Sequence, residues 1–264
     1  VAATHAIAAV RPSTGADALL IRRESVVHRL PAQVKLVALL AFVVVVVATP
    51  ARAWPAFVAY ASLLAAAVWL ARLPVAAVAR RMLVETPFVV FALLMPFVAS
   101  GPTVDVLGLS VSRSGLVGGA LLLAKATLGV VAAIILAATT DARAMLVGLE
   151  RLHLPGVLVA IISFAVRYLS IASDDLERSR IARLARGGSG RRTTQLRSVA
   201  GTVGSTFVRT YERGERVHRA MLARGLDGPM PVLSGRAPTA AEWRTALALP
   251  GSALVVLVVA LVVT

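Results

Sequence analysis

The sequence predicts an all-α integral membrane protein, with about five transmembrane helices carrying a water-facing module of two long helices and one short helix. Three observations predict it. First, 58% of the 264 residues are hydrophobic and only 16% are charged, and the mean hydropathy is +0.82. An ordinary soluble domain is nearer half apolar and a quarter charged, and a globule of this size cannot hide such an excess from water. Second, the apolar residues fall into runs close to the ~20 residues that a bilayer demands. Third, a dozen arginines stand against a handful of acids between Asp174 and Gly228. The net charge of +15 then acquires a side, because basic residues of membrane proteins collect in the cytoplasm near anionic lipids.

Residues 1–31 form an N-terminal cytoplasmic segment, in which Arg11, Arg22, Arg23 and Arg29 outnumber Asp17 and Glu24. This segment has no apolar core of signal type, so no cleaved signal is expected. A short amphipathic helix is expected within Ala16–Leu30, before Pro31. The membrane bundle, residues 32–140, holds four spans. The first is Ala32–Thr49, with Lys35 placed to send its ammonium to the interface. The second, about Ala53–Ala71, follows a turn at Pro50, Trp54 and Pro55 and ends at a basic loop with Arg72, Arg80 and Arg81. The third, Met82–Ser100, contains Pro87 and Pro96 and is expected to kink. A turn-rich loop with Gly101, Pro102, Asp105, Gly108 and Arg113 leads to the fourth, within Leu116–Thr139. The last apolar run, residues 245–264, makes the fifth.

The run Val157–Leu169 has about 13 apolar residues, short for a span. Parity places it. Four spans from a cytoplasmic N-terminus return Asp141 to the cytoplasm, and a crossing at Val157 would carry the whole arginine-rich stretch outside. With that run held at the inner interface, residues 141–244 become one cytoplasmic module and the C-terminus lies outside. Within the module, Asp141 is an N-cap for a short helix, Ala142–Leu152, stopped by Pro155 and Gly156. A second helix runs from about Val157 through Leu184. A third, about Gln195–Arg224, places Val203, Phe207, Tyr211, Val217 and Met221 near one stripe. Glu212–Arg216 and Glu215–Arg219 are i,i+4 pairs in the favourable order, worth ~0.3 kcal/mol each.

Ala-Arg-Gly occurs at Ala185-Arg186-Gly187 and again at Ala223-Arg224-Gly225, each time closing a helix. One copy is explained as a helix C-terminus, with glycine in the left-handed position and arginine against the dipole. Two copies in one module point to a functional pair. A guanidinium at a helix end, beside a glycine that lets another backbone approach, suits bidentate pairing with a partner's carboxylate.

Other chemistry lacks its residues. There is no cysteine, no GxxxxGK[ST] phosphate loop and no HExxH, and His5, His28, His153 and His218 are too scattered for a metal site. Hence no catalytic residue and no metal ligand is expected. Lys125 is the one charge deep in a span and a functional candidate by position; it lies much further out than Glu85, which leaves snorkelling or a backbone carbonyl as its partner. Gly115 and Gly119 give the fourth span a small-residue face, serving either the bundle itself or a partner. A lipid-modifying enzyme would need acids or histidines clustered at one depth. A nucleic-acid binder would use the charge on phosphates, but Phe207 and Tyr211 alone offer little stacking.

The segment Tyr211-Glu212-Arg213-Gly214-Glu215-Arg216, running into Arg219-Ala220-Met221-Leu222-Ala223-Arg224-Gly225 and the Asp227-Gly228 turn, resembles the transmembrane coupling (T) component of energy-coupling-factor ABC transporters. The closest likeness is to the cobalt-type branch. The opening at Pro31–Lys35 and the Leu152-His153-Leu154-Pro155 stop are similar too, and the likeness is sharpest between Leu146 and Gly228. Gly188 and Arg191-Arg192 depart from the family pattern.

The resemblance implies a non-catalytic subunit of the cell membrane whose coupling helices rest on two ATPase subunits, or on one fused ATPase. Its membrane helices would hold a separate substrate-binding S component for uptake of a vitamin or of cobalt or nickel ions. It implies that Arg186 and Arg224 contact the ATPases, with Gly187 and Gly225 allowing the approach and Tyr211, Glu212, Arg213, Glu215 and Arg216 supporting the helix. ATP and Mg would be bound by the partners, with no cofactor in this chain and no nucleic acid.

Overall fold

The computed structural model describes residues 20–21, 23–100, 102–106, 109–186, 192–226 and 236–263. It contains ten α-helices among those residues: α1 (Val26–Arg29), α2 (Ala32–Ala48), α3 (Trp54–Leu70), α4 (Val75–Arg81), α5 (Thr86–Val98), α6 (Arg113–Thr139), α7 (Ala142–Arg151), α8 (Gly156–Ala185), α9 (Arg192–Ala223) and α10 (Ala240–Val263). A 3-10 turn, Met82–Glu85, joins α4 to α5. The protein is thus an all-α, multi-pass membrane protein. Its helices divide between two units, one of residues 19–148 with 235–264 and one built on 149–234.

Two connections of the first unit differ from expectation. The loop after the third span is a β-hairpin, with β1 (Thr103–Val106) antiparallel to β2 (Leu109–Ser112) and Thr103 opposite Ser112. The alternation in Thr-Val-Asp-Val and Leu-Ser-Val-Ser is strand-like, and the turn residues nearby masked it. The basic loop expected after Arg72 is largely helical as well. From Val75 the chain runs through α4 and the 3-10 turn into α5, so that Val75–Val98 is one apolar stretch long enough to cross a bilayer. At the 3-10 turn, Thr86 Oγ1 donates to Leu83 O at 2.6 Å, and α5 runs on through Pro96.

The helices Arg113–Thr139, Gly156–Ala185 and Ala240–Val262 are also long and apolar enough to cross, while α2 and α3, 17 residues each, are shorter apolar helices at the lower limit of a span. By length and composition α8 thus qualifies as a candidate span, where the run Val157–Leu169 was expected to be too short.

The core of the larger unit lies among α2, α3, α6 and α10. Phe42, Val46, Ala53, Tyr60, Leu64, Leu128, Ala132 and Ala253 are buried together. Tyr60 packs edge-on against Phe42 and Phe57, with ring centroids 6.1 Å apart in both pairs. Its hydroxyl is 3.0 Å from Thr49 Oγ1, which donates to Val45 O at 2.8 Å. A buried tyrosine hydroxyl is thereby satisfied without water.

Polar ties fix the ends of this bundle. Lys35 does not reach out to the interface as the sequence implies: it is 8% exposed, and its Nζ donates to Thr139 O at 2.8 Å, at the C-terminus of α6. Ile21 N–H donates to Ala138 O at 3.0 Å on the same turn. At the other end, Lys125 of α6 donates to Val47 O at 2.8 Å, in the last turn of α2; the depth gap expected between it and Glu85 is absent, since Glu85 accepts from the hydroxyl of Thr127, two residues from Lys125. Each lysine thus satisfies a carbonyl that its neighbour's helix end leaves without a partner, where the dipole favours a cation. Replacing Lys35 by methionine is expected to cost ~1–3 kcal/mol, because Thr139 O then stays buried and unpaired. Thermal unfolding in detergent checks it, with Arg80→Met at an exposed site as the control.

The first helix after the bundle, α7, starts as expected, with Ala144 N–H donating to Asp141 Oδ1. Gly148 lies against the first turn of α2, where an added Cβ would stand 2.9 Å from Gln33 N. The last helix, α10, begins earlier than the expected 245. Thr239 and Glu242 form a capping box, in which Thr239 N–H donates to Glu242 Oε2 at 2.7 Å and Glu242 N–H to Thr239 Oγ1 at 3.4 Å.

Candidate functional site

In the second unit, α8 and α9 are joined through one acid. Asp175 of α8 accepts from Arg178 Nη2 at 2.6 Å and pairs with Arg213 of α9 at 3.7 Å. Arg209, one turn before Arg213, donates to the buried Thr206 hydroxyl at 3.3 Å. From the Asp175–Arg213 pair, each Ala-Arg-Gly motif lies the same distance along its own helix. Asp175 to Arg186 and Arg213 to Arg224 are both eleven residues, about 16 Å of helix rise. The two arginines are therefore set at equal reach from one ion pair.

The ends themselves are shaped by glycine chemistry. At the second motif, Gly225 has φ +78. Its N–H donates to Leu222 O at 2.9 Å, and Leu226 N–H reaches back to Met221 O at 3.0 Å. This is the paired arrangement of a Schellman cap, which needs a left-handed residue after the last helical turn. No atom stands within 4 Å of where a Cβ on Gly225 would be, so its surroundings are open. Ala223, Arg224 and Gly225 are exposed. At the first motif, Arg186 is the C-cap of α8, with its N–H shared between Ala182 O at 3.3 Å and Arg183 O at 3.1 Å. Ala185 and Arg186 are exposed; Gly187 lies outside the described residues, as do the Asp227-Gly228 turn and Gly188.

The supporting residues sit as their spacing requires. Glu215 pairs with Arg219 at 3.0 Å and Glu212 with Arg216 at 3.9 Å, all four side chains well exposed. The apolar stripe of α9 is divided: Val203, Phe207 and Tyr211 are exposed, the last two at 70% and 62%, while Val217 and Met221 are partly covered. Phe207 and Tyr211, four residues apart, give α9 an uncovered aromatic face beside its charged one. On α8, Leu176, Ile181 and Leu184 are likewise exposed.

Gly115 and Gly119 belong elsewhere. They press against α5 inside the larger unit, where added Cβ atoms would come within 2.5 Å of Met95 O and 2.6 Å of Ala92 O. Among the described residues no group of histidines and acids could hold a metal ion. Sequence reasoning missed the joining role of Asp175. Its i,i+3 partner Arg178 was legible, but Arg213, on another helix, was not.

This all-helical, multi-pass membrane protein, with exposed arginines at the ends of α8 and α9, is of the class of membrane transport components. The chain belongs to the CbiQ cobalt transport protein family, whose model matches residues 23–233. It is 34% identical over 101 residues to the cobalt transport protein CbiQ of Rhodobacter capsulatus, across 38% of this chain and 41% of the relative. It is also 27% identical over 123 residues to the uncharacterized protein MJ1089 of Methanocaldococcus jannaschii, across 47% of this chain and 46% of the relative. The matched stretches span less than half the length of either relative.

Proposed function

We propose that this chain is the transmembrane coupling subunit of an energy-coupling-factor ABC importer. In this reading it carries no catalytic residue and no cofactor of its own. Two ATPase subunits, or one fused ATPase, bind ATP and Mg and dock on α8 and α9. Arg186 and Arg224 make the contacts, and Gly225 leaves room for the approaching backbone. The membrane helices pass the resulting movement to a membrane S component that carries a micronutrient, a vitamin or a cobalt or nickel ion. The N-terminal segment and the coupling module lie in the cytoplasm.

The observation that carries this reading is the matched pair of exposed arginine tips, at equal reach from the Asp175–Arg213 pair. Two equivalent tips call for a partner with two similar surfaces. The topology agrees with it. Thr139 of α6 and Thr245 of α10 both line the cavity that Lys35 lines, which supports a reading in which the chain between α6 and α10 leaves and re-enters the bundle on one side. That requires an even number of crossings, and α9 is too charged to make one. The apolar half of α8 then rests at the interface.

Purification in mild detergent from the native host tests the proposal. A coupling subunit brings down nucleotide-binding ATPases at two copies per chain, or one fused copy, together with a small membrane protein. Recovery of the chain with no ATPase at physiological salt would sink the reading.

A further inference from the structure

The larger unit contains a cavity that the coupling role does not use. It has a volume of about 460 Å3, is partly open, and is walled by α2, α3, α6 and α10, with Leu39, Phe42, Leu63, Ala67, Ile135 and Leu249 among its apolar lining. Its few polar groups are Lys35, Thr139, Thr245 and Ser252. Along α2 the lining runs from Lys35 to Phe42, a rise of about 10 Å. Half of a ~30 Å hydrocarbon core is about 15 Å, so the lined stretch covers roughly two thirds of one leaflet.

Arginines stand beside one end of the lining in the chain. The lining residues Leu30, Leu70 and Thr245 lie next to or near the exposed Arg29, Arg72 and Arg244 in the chain, and Arg23 Nη1 donates to Arg72 O at 3.1 Å. The nearby acids are engaged elsewhere. Glu24 pairs with Arg29 at 3.5 Å, Glu242 with Arg236 and the Thr239 N–H, and Asp141 accepts from Ala144 N–H. Among the described residues no carboxylate pairs with Arg72 or Arg244.

We propose that this cavity is a lipid site, holding one acyl chain of an anionic phospholipid whose phosphate sits among the arginines at the Lys35 end. The slot supplies apolar walls through much of one leaflet, and the arginines that neighbour its Lys35 end in the chain supply guanidinium groups that pair with phosphate oxygens in a bidentate way. Such a lipid would fill the space between α10 and the α2–α3 pair, which the side chains alone leave open.

Native mass spectrometry of the full chain, released from nanodiscs of equimolar phosphatidylglycerol and phosphatidylcholine, tests this. One phosphatidylglycerol retained per chain is expected, favoured over phosphatidylcholine. Each neighbouring arginine contributes roughly a fivefold preference, so Arg244→Gln should lower the ratio by that factor. Ala67→Phe puts a ring into the slot and should abolish retention of either lipid. Retention of neither lipid by the unaltered chain would overturn the proposal, and is the result a slot reserved for another polypeptide's helix would give. Equal retention of the two would overturn it as well, as would unchanged retention in Ala67→Phe. Should that variant fail to fold, phosphatidylglycerol with brominated chains must quench Trp243, which packs beside Leu30 and Ala246, in a chain lacking the other tryptophans; absence of quenching has the same overturning force.

Discussion

Arg186→Ala together with Arg224→Ala is expected to leave the chain inserted and folded while releasing the ATPases. Both side chains are exposed, and neither forms an ion pair within the described residues, so their removal costs the isolated fold little. At an interface the same truncation is costly, because it strips a charged hydrogen-bonding group from a partner's carboxylate. An arginine of that kind is worth ~2 kcal/mol, about 30-fold in affinity. Losing both should weaken association by roughly three orders of magnitude if the two surfaces act independently. The measurement is ATPase recovery on the immobilised chain alongside substrate uptake into cells. Because the motifs sit at equal reach from one ion pair, each single variant should lose a similar share. Full recovery and full uptake in the double variant would remove the docking assignment.

The second large effect lies within the bundle. Gly115→Leu is expected to prevent α5 and α6 from packing. Even the first added atom would stand 2.5 Å from Met95 O and 2.7 Å from Pro96 Cα, both backbone atoms that no side-chain rotation can move. Relief requires α5 and α6 to separate along the Gly115–Gly119 face. Overpacking typically costs ~1–3 kcal/mol, and rigid backbone on both sides puts this site at the upper end. Thermal unfolding in detergent and yield in the membrane fraction report it. The control is on the same helix: Gly129 has no atom within 4 Å of an added Cβ, so Gly129→Ala should be neutral or stabilise α6 by up to ~1 kcal/mol. Equal behaviour of the two variants would contradict the packing account.

What could be read ahead of the structure was whatever is encoded locally. The Asp141 cap, the i,i+4 pairs of α9 and the glycine that ends it depend on neighbours a few residues away, and each stands where its spacing put it. The capping box at Thr239 and Glu242 is equally local, a T-x-x-E signature that stands ahead of the apolar run. The hairpin at Thr103–Ser112 was obscured by Gly101, Pro102 and Gly108, whose turn chemistry outweighed two four-residue alternations.

What could not be read depends on distant partners. Lys35 meets a carbonyl 104 positions away, and Glu85, which is 3% exposed, accepts from the Thr127 hydroxyl 42 positions on. No periodicity announces such pairings. The face of Gly115 and Gly119 was visible as a face, while its occupant, α5, was not. At the candidate site the two tips were legible, and their equal reach from Asp175 required knowing which residue of α9 the acid meets.

The two lysine ties between α2 and α6 have a mechanical consequence. Each helix carries a lysine that grips the other's final turn, and the grips lie at opposite ends of the pair. A slide by one helical turn, ~5.4 Å, would break both together, and a smaller slide stretches one or the other. These helices therefore behave as a single strut locked in register. Whatever displacement reaches the bundle must be taken up outside this pair, at Thr140–Asp141 where α6 gives way to α7 or at Pro250 within α10.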